Sequence, residues 1–365
     1  MKRVLTILIC AAFLGACASA PKTDDSADPA AAGAAYSSAP GPNPVGVIPA
    51  GAGLIRDTKR NKDLPLAIEY PTKPGPYPVI IFSHNYGGMS RGYVTLGSQW
   101  ASHGFVVIRP AHADAGTVKD SATSKDPRET WGQQTVADYK NRAEDLKLIL
   151  ESFTTIETQY PELKGKLDAT RVAVAGHGYG AFTALLVAGL KAYDGDISYG
   201  YRDPRVKAVI AMSPQGMSEK RGLRATSWSD IRVPVLYLTG SADRGIEESE
   251  DTAWRKQAFE NSPEGDKWFV SIEGATHFTF SGRPFDPSLV PKFRDETPVM
   301  RRDGTIVQQP GYNRQGAYID SDARYLSRVQ AIALAFWDAY LRSEPKGREF
   351  LEKLAERGGA EVARK

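Results

Sequence analysis

Cysteine is nearly absent from this chain of 365 residues, and both cysteines, Cys10 and Cys17, lie close to its start. The remainder therefore has neither a disulfide nor a thiol nucleophile. An excess of one charge is also absent, because 46 lysines and arginines face 43 aspartates and glutamates for a net charge of +3. We therefore expect no nucleic-acid partner. With 41% hydrophobic residues, the chain can build the core of one large domain.

The start of the chain is typical of an export signal, because two basic residues precede the apolar run Val4–Phe13 and small residues follow it. The run is short for a membrane-spanning helix. The segment Leu14-Gly15-Ala16-Cys17 resembles the lipobox of bacterial lipoproteins. The resemblance implies a signal peptide at residues 1–16, acylation of Cys17 and a lipid-anchored protein of the bacterial cell envelope. Ala18 favours the outer membrane, facing the periplasm. An ordinary secretory signal is the alternative.

Residues 17–50 are rich in Ala, Gly, Ser and Pro and poor in large apolar side chains, which predicts a flexible tether after the signal. The globular domain is then expected at residues 51–365. Two polar stretches, near residues 112–134 and 281–320, follow predicted strand ends. Ligands bind outside the carboxyl ends of strands in open α/β sheets, so these insertions are candidates for a lid or a pocket wall.

Short β-branched runs alternate with helical patterns in the globular part, which predicts an α/β fold with a mostly parallel sheet. Apolar residues from Val136 to Phe153 and from Tyr325 to Tyr340 recur at helical spacing. The candidate strands are 66–70, 79–82, 106–108, 172–175, 206–211, 235–238 and 268–272.

A glycine-rich turn after the strand at 172–175 has the pattern of a nucleophile elbow. The usual motif is G-x-S-x-G, and this chain reads Gly176-His177-Gly178-Tyr179-Gly180, followed by a helix-forming run. Gly178 stands at the serine position. Since glycine supplies no hydroxyl, no acyl-enzyme is expected there.

Four segments together resemble the α/β-hydrolase superfamily, and more narrowly the dienelactone-hydrolase-related and platelet-activating-factor-acetylhydrolase-like carboxylesterases. They are Phe82–Gly88, Gly176–Ala181, Leu238–Asp243 and Glu273–Phe278. The resemblance implies an α/β-hydrolase fold, in which helices flank both faces of a mostly parallel central sheet. It also implies ancestry in carboxylic-ester hydrolysis, and no cofactor.

The resemblance assigns a role to each site residue. His277 would be the general base, and Asp243 would hold its tautomer. The backbone N–H groups of Tyr86 and Tyr179 would form the oxyanion hole. Asn85 replaces a glycine that is usual in the first segment, and we expect it to tilt the Tyr86 amide.

Two functions follow from an acid and a base without a nucleophile. One is a non-catalytic protein that binds a small ester or acyl ligand, with Tyr86, Tyr179, Phe278 and Phe280 lining an apolar pocket. The other is a hydrolase in which His277 activates water directly.

Two other kinds of site, a dinucleotide site and a metal site, match less of the sequence. Gly176, Gly178 and Ala181 match a dinucleotide-binding fingerprint, with Asp194 or Asp196 at a suitable distance, but such a fingerprint normally opens its domain. A metal site is not predicted, because four histidines near strand ends form no compact ligand motif: His84, His112, His177 and His277. Ser83 and Ser213 are not expected to replace the nucleophile, since neither lies on an elbow.

Overall fold

The structure, a computed structural model, describes residues 36–86, 93–115, 136–245, 250–281, 299–300, 306–307 and 315–365. The strands in these ranges are β1 Val45–Asp57, β2 Lys62–Pro71, β3 Tyr77–Ser83, β4 Val106–Pro110, β5 Leu167–His177, β6 Lys191–Asp194, β7 Ile197–Gly200, β8 Val206–Met212, β9 Val235–Gly240, β10 Lys267–Ile272, β11 Val299–Met300, β12 Ile306–Val307 and β13 Ala360–Arg364. The helices are α1 Val94–Ser102, α2 Val136–Glu151, α3 Phe153–Gln159, α4 Tyr179–Ala188, α5 Thr252–Glu260, α6 Gln315–Leu341 and α7 Pro345–Glu352. Short 3₁₀ helices lie at Pro161–Leu163, Glu219–Arg221, Ala225–Trp228, His277–Ser281 and Ala355–Arg357.

The main sheet has nine strands in the order β1-β2-β4-β3-β5-β8-β9-β10-β13. Its centre, from β4 to β10, is parallel, and antiparallel strands close both edges. All strands predicted from the sequence lie inside observed strands, and the prediction of a mostly parallel sheet is confirmed. The central strands are buried on both faces, as parallel strands covered by helices must be.

Two apolar cores lie on opposite faces of this sheet. One contains Leu146 of α2 and Phe182 of α4, and the other contains Trp100 of α1 and Trp337 of α6. Alternate residues of a strand point to opposite faces, so neighbours such as Ile80 and Ile81 belong to different cores. The sheet is therefore packed on both faces by apolar side chains.

The folded part starts earlier than the boundary predicted at residue 50. Tyr36 is buried, its ring packs edge-on against Phe350 at a centroid distance of 5.1 Å, and its hydroxyl donates to Asp338. Strand β1 begins at Val45 and pairs with β2, so backbone hydrogen bonds compensate for the few large side chains. A composition average does not detect either contribution.

The two predicted insertions lie mostly outside the described residues. Residues 315–320 of the second insertion form the start of α6. In the part of the chain that the structure describes, no helix is both long enough and apolar enough to span a bilayer.

Candidate active site

The elbow lies between β5 and α4, as its motif predicts. Gly178 has φ 54° and ψ −115°, a left-handed conformation that costs other residues about 1–3 kcal/mol. Its N–H donates to the Met212 carbonyl at 2.9 Å, which ties the turn to β8. Gly180 is required for a different reason, since a Cβ there would lie 1.9 Å from the Ser83 carbonyl oxygen. The elbow is thus packed directly against the end of β3.

The predicted acid and base lie together beyond the ends of β9 and β10. His277 Nδ1 is 3.2 Å from Asp243 Oδ1, and the Asp243 side chain is fully buried. Because the carboxylate accepts, we assign the ring proton to Nδ1, which leaves Nε2 as an acceptor. The His277 ring also lies against the ring of His177, the residue before Gly178, with centroids 4.4 Å apart and the planes tilted by 40°. This pair therefore has the orientation that general-base catalysis requires.

Asn85 occupies the position that a substrate carbonyl would take. Its Oδ1 accepts hydrogen bonds from the backbone N–H of Tyr86 at 2.8 Å and of Tyr179 at 3.0 Å. Its Nδ2 lies 3.1 Å from His277 Nε2 and donates to it. The two amides predicted for the oxyanion hole do converge on one point, so the Tyr86 amide is not turned away. They converge on a side chain of the protein itself.

Gly178 and Asn85 are sterically complementary. A Cβ on residue 178 would lie 2.3 Å from Asn85 Oδ1 and 2.7 Å from Asn85 Cγ. Real carbon atoms do not approach so closely, so a serine at 178 and this asparagine conformation exclude each other. The two departures from the family motif therefore depend on each other, because Asn85 fits in this position only when residue 178 has no side chain. The sequence shows both substitutions, but only the structure shows that the two residues are in contact.

Arg255 of α5 belongs to the site and was not predicted. Its Nη2 lies 3.0 Å from Asp243 Oδ1, the atom that also holds His277, and its Nη1 donates to the carbonyls of Ser213 and Pro214 at 3.0 Å each. Asp243 Oδ2 accepts from Ser213 Oγ at 2.6 Å and from Thr239 Oγ1 at 2.8 Å. No motif around Arg255 signals this role.

These partners decide the ionisation of Asp243. Burial alone would raise the pKa of its carboxyl group, but the charge of Arg255 and hydrogen bonds from His277 and Ser213 hold that pKa well below its usual range. The acid is therefore a carboxylate at every physiological pH. Ser213 is one of its donors, and its hydroxyl is engaged by the carboxylate.

Arg142 of α2 fixes the turn that carries Asn85. Its Nη1 donates to the His84 carbonyl at 2.7 Å, its Nη2 donates to Asp114 at 2.6 Å, and its guanidinium lies 4.3 Å from the centre of the Tyr179 ring. Since Arg142 is buried, these contacts are strong. One side chain thus holds both halves of the oxyanion hole.

Ser83 lies in a second Ser-His-Asp arrangement. Its Oγ is 2.9 Å from His112 Nε2, and His112 Nδ1 is 2.8 Å from Asp145 Oδ2. Burial and the charge of Arg142 lower the pKa of His112. Burial would raise the pKa of Asp145, but hydrogen bonds from His112 and Lys62 lower it to about 2. All three side chains of this arrangement are buried, so it supports the end of β3 and offers no accessible nucleophile.

The remaining predicted residues are placed as follows. The Tyr86 and Tyr179 rings meet edge-on at 5.9 Å, and Tyr86 is half-buried. Phe280, expected in a ligand pocket, is fully buried in the core beside His177, because the 3₁₀ helix at His277–Ser281 turns it inward. The Phe278 side chain and Cys17 lie outside the described residues.

The residues named for a metal site and for a dinucleotide site lie as follows. His84 accepts from the His112 N–H, and His177 Nδ1 is 3.0 Å from the Tyr93 hydroxyl, so both rings have structural partners. Among the residues that the structure describes, no cluster of three or more His, Cys, Asp or Glu could hold a metal ion. Asp194 and Asp196 lie on the β6–β7 hairpin, which forms a two-stranded sheet separate from the main parallel sheet.

An elbow after a central parallel strand, followed along the chain by an acid and then a histidine, is the arrangement of α/β-hydrolases, and this chain has an α/β-hydrolase domain. The Chlorophyllase family model matches residues 47–223, which include Asn85 and the elbow and end before Asp243. The sequence therefore confirms the family resemblance over the part of the domain that carries both departures.

Known ester hydrolases are similar to this chain. Cutinase est2 of Thermobifida alba is 28% identical over 212 residues, covering 58% of this chain and 56% of the cutinase. A cutinase of Thermobifida fusca (strain YX) is 26% identical over 213 residues, with 58% and 56% covered. Platelet-activating factor acetylhydrolase of Cavia porcellus is 23% identical over 237 residues, with 58% and 50% covered. The chain spans about half the length of the curated relatives it matches. Its ancestry is that of carboxylic-ester hydrolases.

Proposed function

We propose that this protein is a pseudo-enzyme of the carboxylic-ester hydrolase lineage, which binds an ester or acyl ligand without forming an acyl-enzyme. The observation that carries the proposal is the Asn85 amide, which accepts from both N–H groups of the oxyanion hole while it donates to His277. Gly178 supplies no nucleophile. A bound ester would therefore meet a base and an acid but no nucleophilic side chain at the elbow.

The hydrogen bonds of Asn85 also oppose catalysis energetically. Catalysis requires donors that gain strength as charge develops on the substrate oxygen. Here the donors are already paired, and a substrate carbonyl must displace three hydrogen bonds that stabilise the fold by about 1 kcal/mol each. We propose that the ligand lies beside Asn85, against the half-buried ring of Tyr86.

A water-direct hydrolase is the second candidate. It is favoured by the orientation of His277, whose Nδ1 is held by Asp243 at 3.2 Å and whose Nε2 is an acceptor directed at Asn85. If a ligand displaced the Asn85 amide, the same Nε2 could take a proton from water. This mechanism requires Asn85 to leave the oxyanion hole in every turnover.

Ester turnover separates the two candidates. The full-length protein in detergent and its His277→Ala variant are compared on a panel of activated esters, with His103→Ala as the matched control. His103 contacts the Ala39 carbonyl and is not one of the site residues. We expect no turnover above buffer in any of the three proteins, and a ligand that raises Tm and is recovered intact. Turnover that persists in His103→Ala and is lost in His277→Ala would replace this proposal with the water-direct mechanism.

The cellular setting is a proposal that rests on the sequence. We propose that Cys17 is acylated and anchors the domain to the bacterial outer membrane, facing the periplasm. Metabolic labelling with a palmitate analogue should mark the parent and not Cys17→Ser. A parent that takes up no label would show that the segment is an ordinary secretory signal, and equal labelling of both would show that Cys17 is not the acylated residue.

A further inference from the structure

The Asn85 side chain is bound as an amide substrate of a hydrolase would be. Its carbonyl oxygen accepts two backbone N–H groups at 2.8 and 3.0 Å, and its nitrogen lies 3.1 Å from Nε2 of the histidine. In amide hydrolysis these are the atoms that become the oxyanion and the leaving group. The oxyanion hole and His277 thus bind the side chain of Asn85, a residue of the protein itself.

The neighbouring groups match the chemistry of that amide. Donors aimed at a carbonyl oxygen stabilise the tetrahedral intermediate, and each contributes about 10²–10³ in rate. A positioned histidine contributes about 10²–10⁴ through proton transfer. Nε2 is close enough to the amide nitrogen to deliver the proton that a departing amine needs.

Water is the nucleophile in this reaction. Gly178 abuts the amide on one side, with its Cβ position 2.7 Å from Asn85 Cγ, so neither a side chain nor water fits there. Asn85 and His277 are both partly exposed, and 17% of the His277 side chain is open to solvent. This partial exposure gives water access to the pair.

We infer that this site hydrolyses the side-chain amide of Asn85 and converts residue 85 to aspartate. The hydrogen bond from Nδ2 to His277 Nε2 opens, and Nε2 takes a proton from water as the water oxygen bonds to Cγ. The N–H groups of Tyr86 and Tyr179 hold the negative Oδ1. The Cγ–Nδ2 bond then breaks, and Nε2 returns the proton to the departing nitrogen. One amide and one water yield one carboxylate and one ammonium ion.

Asparagine can also be converted to an acid of the same mass without His277, but the geometry disfavours that reaction. Spontaneous loss of ammonia from asparagine proceeds through a cyclic imide, in which the next backbone nitrogen attacks Cγ. Here the N–H of Tyr86 points at Oδ1 at 2.8 Å, so its nitrogen is held as a donor. The imide opens to both aspartate and isoaspartate, whereas direct hydrolysis gives aspartate alone.

The product stays in the site. An aspartate at residue 85 keeps both N–H donors for one carboxylate oxygen and places the other beside His277. The reaction therefore occurs once per molecule. It is independent of ester turnover, which is measured separately, so this inference and the proposed function can fail separately.

Peptide mass spectrometry tests the inference on the full-length protein, kept folded in oxygen-18-labelled water. We expect the Asn85 peptide to gain the mass of an acid with one labelled oxygen, as aspartate only. Conversion should be at least about 100-fold slower in His277→Ala, the loss expected for a proton-transfer group. Asn261, a C-cap residue of α5, is the control asparagine in the same digest and should stay unchanged.

Each outcome decides the matter. If the parent has already reacted during expression, the His277→Ala protein still carries the amide, and the inference stands. His277→Gln repeats the comparison with a side chain of similar length, in case the alanine variant is unfolded. An intact amide in the folded parent, a mixture that contains isoaspartate, or equal conversion in both His277 variants and the parent would each overturn the inference.

Discussion

The steric exclusion between residues 85 and 178 makes a quantitative prediction for Gly178→Ser. The new Cβ would lie 2.3 Å from Asn85 Oδ1, so the asparagine side chain must leave its place. Three hydrogen bonds are then lost, at about 1 kcal/mol each. The left-handed backbone adds about 1–3 kcal/mol. We expect Gly178→Ser to lower the free energy of unfolding by about 5 kcal/mol, a large share of a usual stability of about 5–15 kcal/mol.

A second glycine separates strain from steric clash. Gly195, in the turn of the β6–β7 hairpin, has φ 56°, close to the 54° of Gly178, and its Cβ position has no neighbour within 4 Å. Gly195→Ser therefore carries the backbone strain alone and should cost about 1–3 kcal/mol. The difference between the two serine variants isolates the displacement of Asn85.

The double variant Asn85→Gly/Gly178→Ser completes the cycle. Asn85→Gly alone loses the same three hydrogen bonds, about 3 kcal/mol, and adds some backbone entropy. Because these bonds are lost only once in the double variant, it should be about 3 kcal/mol more stable than the sum of the single variants. It also restores the family arrangement, so we expect labelling by a fluorophosphonate and a gain in esterase activity of up to about 10⁶.

Urea unfolding followed by circular dichroism measures the free energy of unfolding of the parent and of the four variants. Labelling by the fluorophosphonate reports whether residue 178 acts as a nucleophile. The reasoning is refuted if Gly178→Ser costs no more than Gly195→Ser, or if the coupling energy is close to zero. A folded double variant that takes up no probe would show that base and oxyanion hole no longer function together.

Three further variants test the supports of the site. Arg142→Met removes the buried donor to the His84 carbonyl and should cost about 3–5 kcal/mol in urea unfolding, whereas a cost below about 1 would contradict its role. Arg255→Met leaves the buried Asp243 without its cation and should cost a similar amount; an unchanged midpoint would contradict the ion pair. Asp145→Asn tests how stability depends on pH. The folded pKa of Asp145, about 2, lies below the usual 3.8, so the ionised carboxylate stabilises the fold above about pH 4. This stabilisation is lost as the pH falls towards 2. The variant should be about 2 kcal/mol less stable at pH 7 with a difference that shrinks on acidification, and a constant difference would refute the assignment.

The features of this molecule that could be predicted from the sequence are those that depend on local sequence patterns. Parallel strands such as β5 are continuous apolar runs, and the elbow is a short motif whose glycines meet definite steric demands. The order of elbow, Asp243 and His277 along the chain then implied their meeting at one edge of the sheet. The structure places them there.

The parts that could not be predicted depend on contacts between distant segments. Asn85 and Tyr179 are 94 positions apart, and only their register across β3 and β5 shows that the asparagine fills the space left by Gly178. Arg255 reaches Asp243 from a helix whose local sequence has no distinguishing feature. Strand β1 was missed because its glycines and proline resemble a tether, while antiparallel pairing with β2 stabilises it.

Through-hydrogen-bond scalar coupling in the uniformly labelled protein tests whether the side chain of residue 85 fills the oxyanion hole. We expect the backbone nitrogens of Tyr86 and Tyr179 each to couple to Cγ of residue 85, as an amide or, after hydrolysis, as a carboxylate, with slow exchange of both amide protons. Two amides that exchange as fast as exposed ones and couple to no side-chain carbon would contradict this structure of the site.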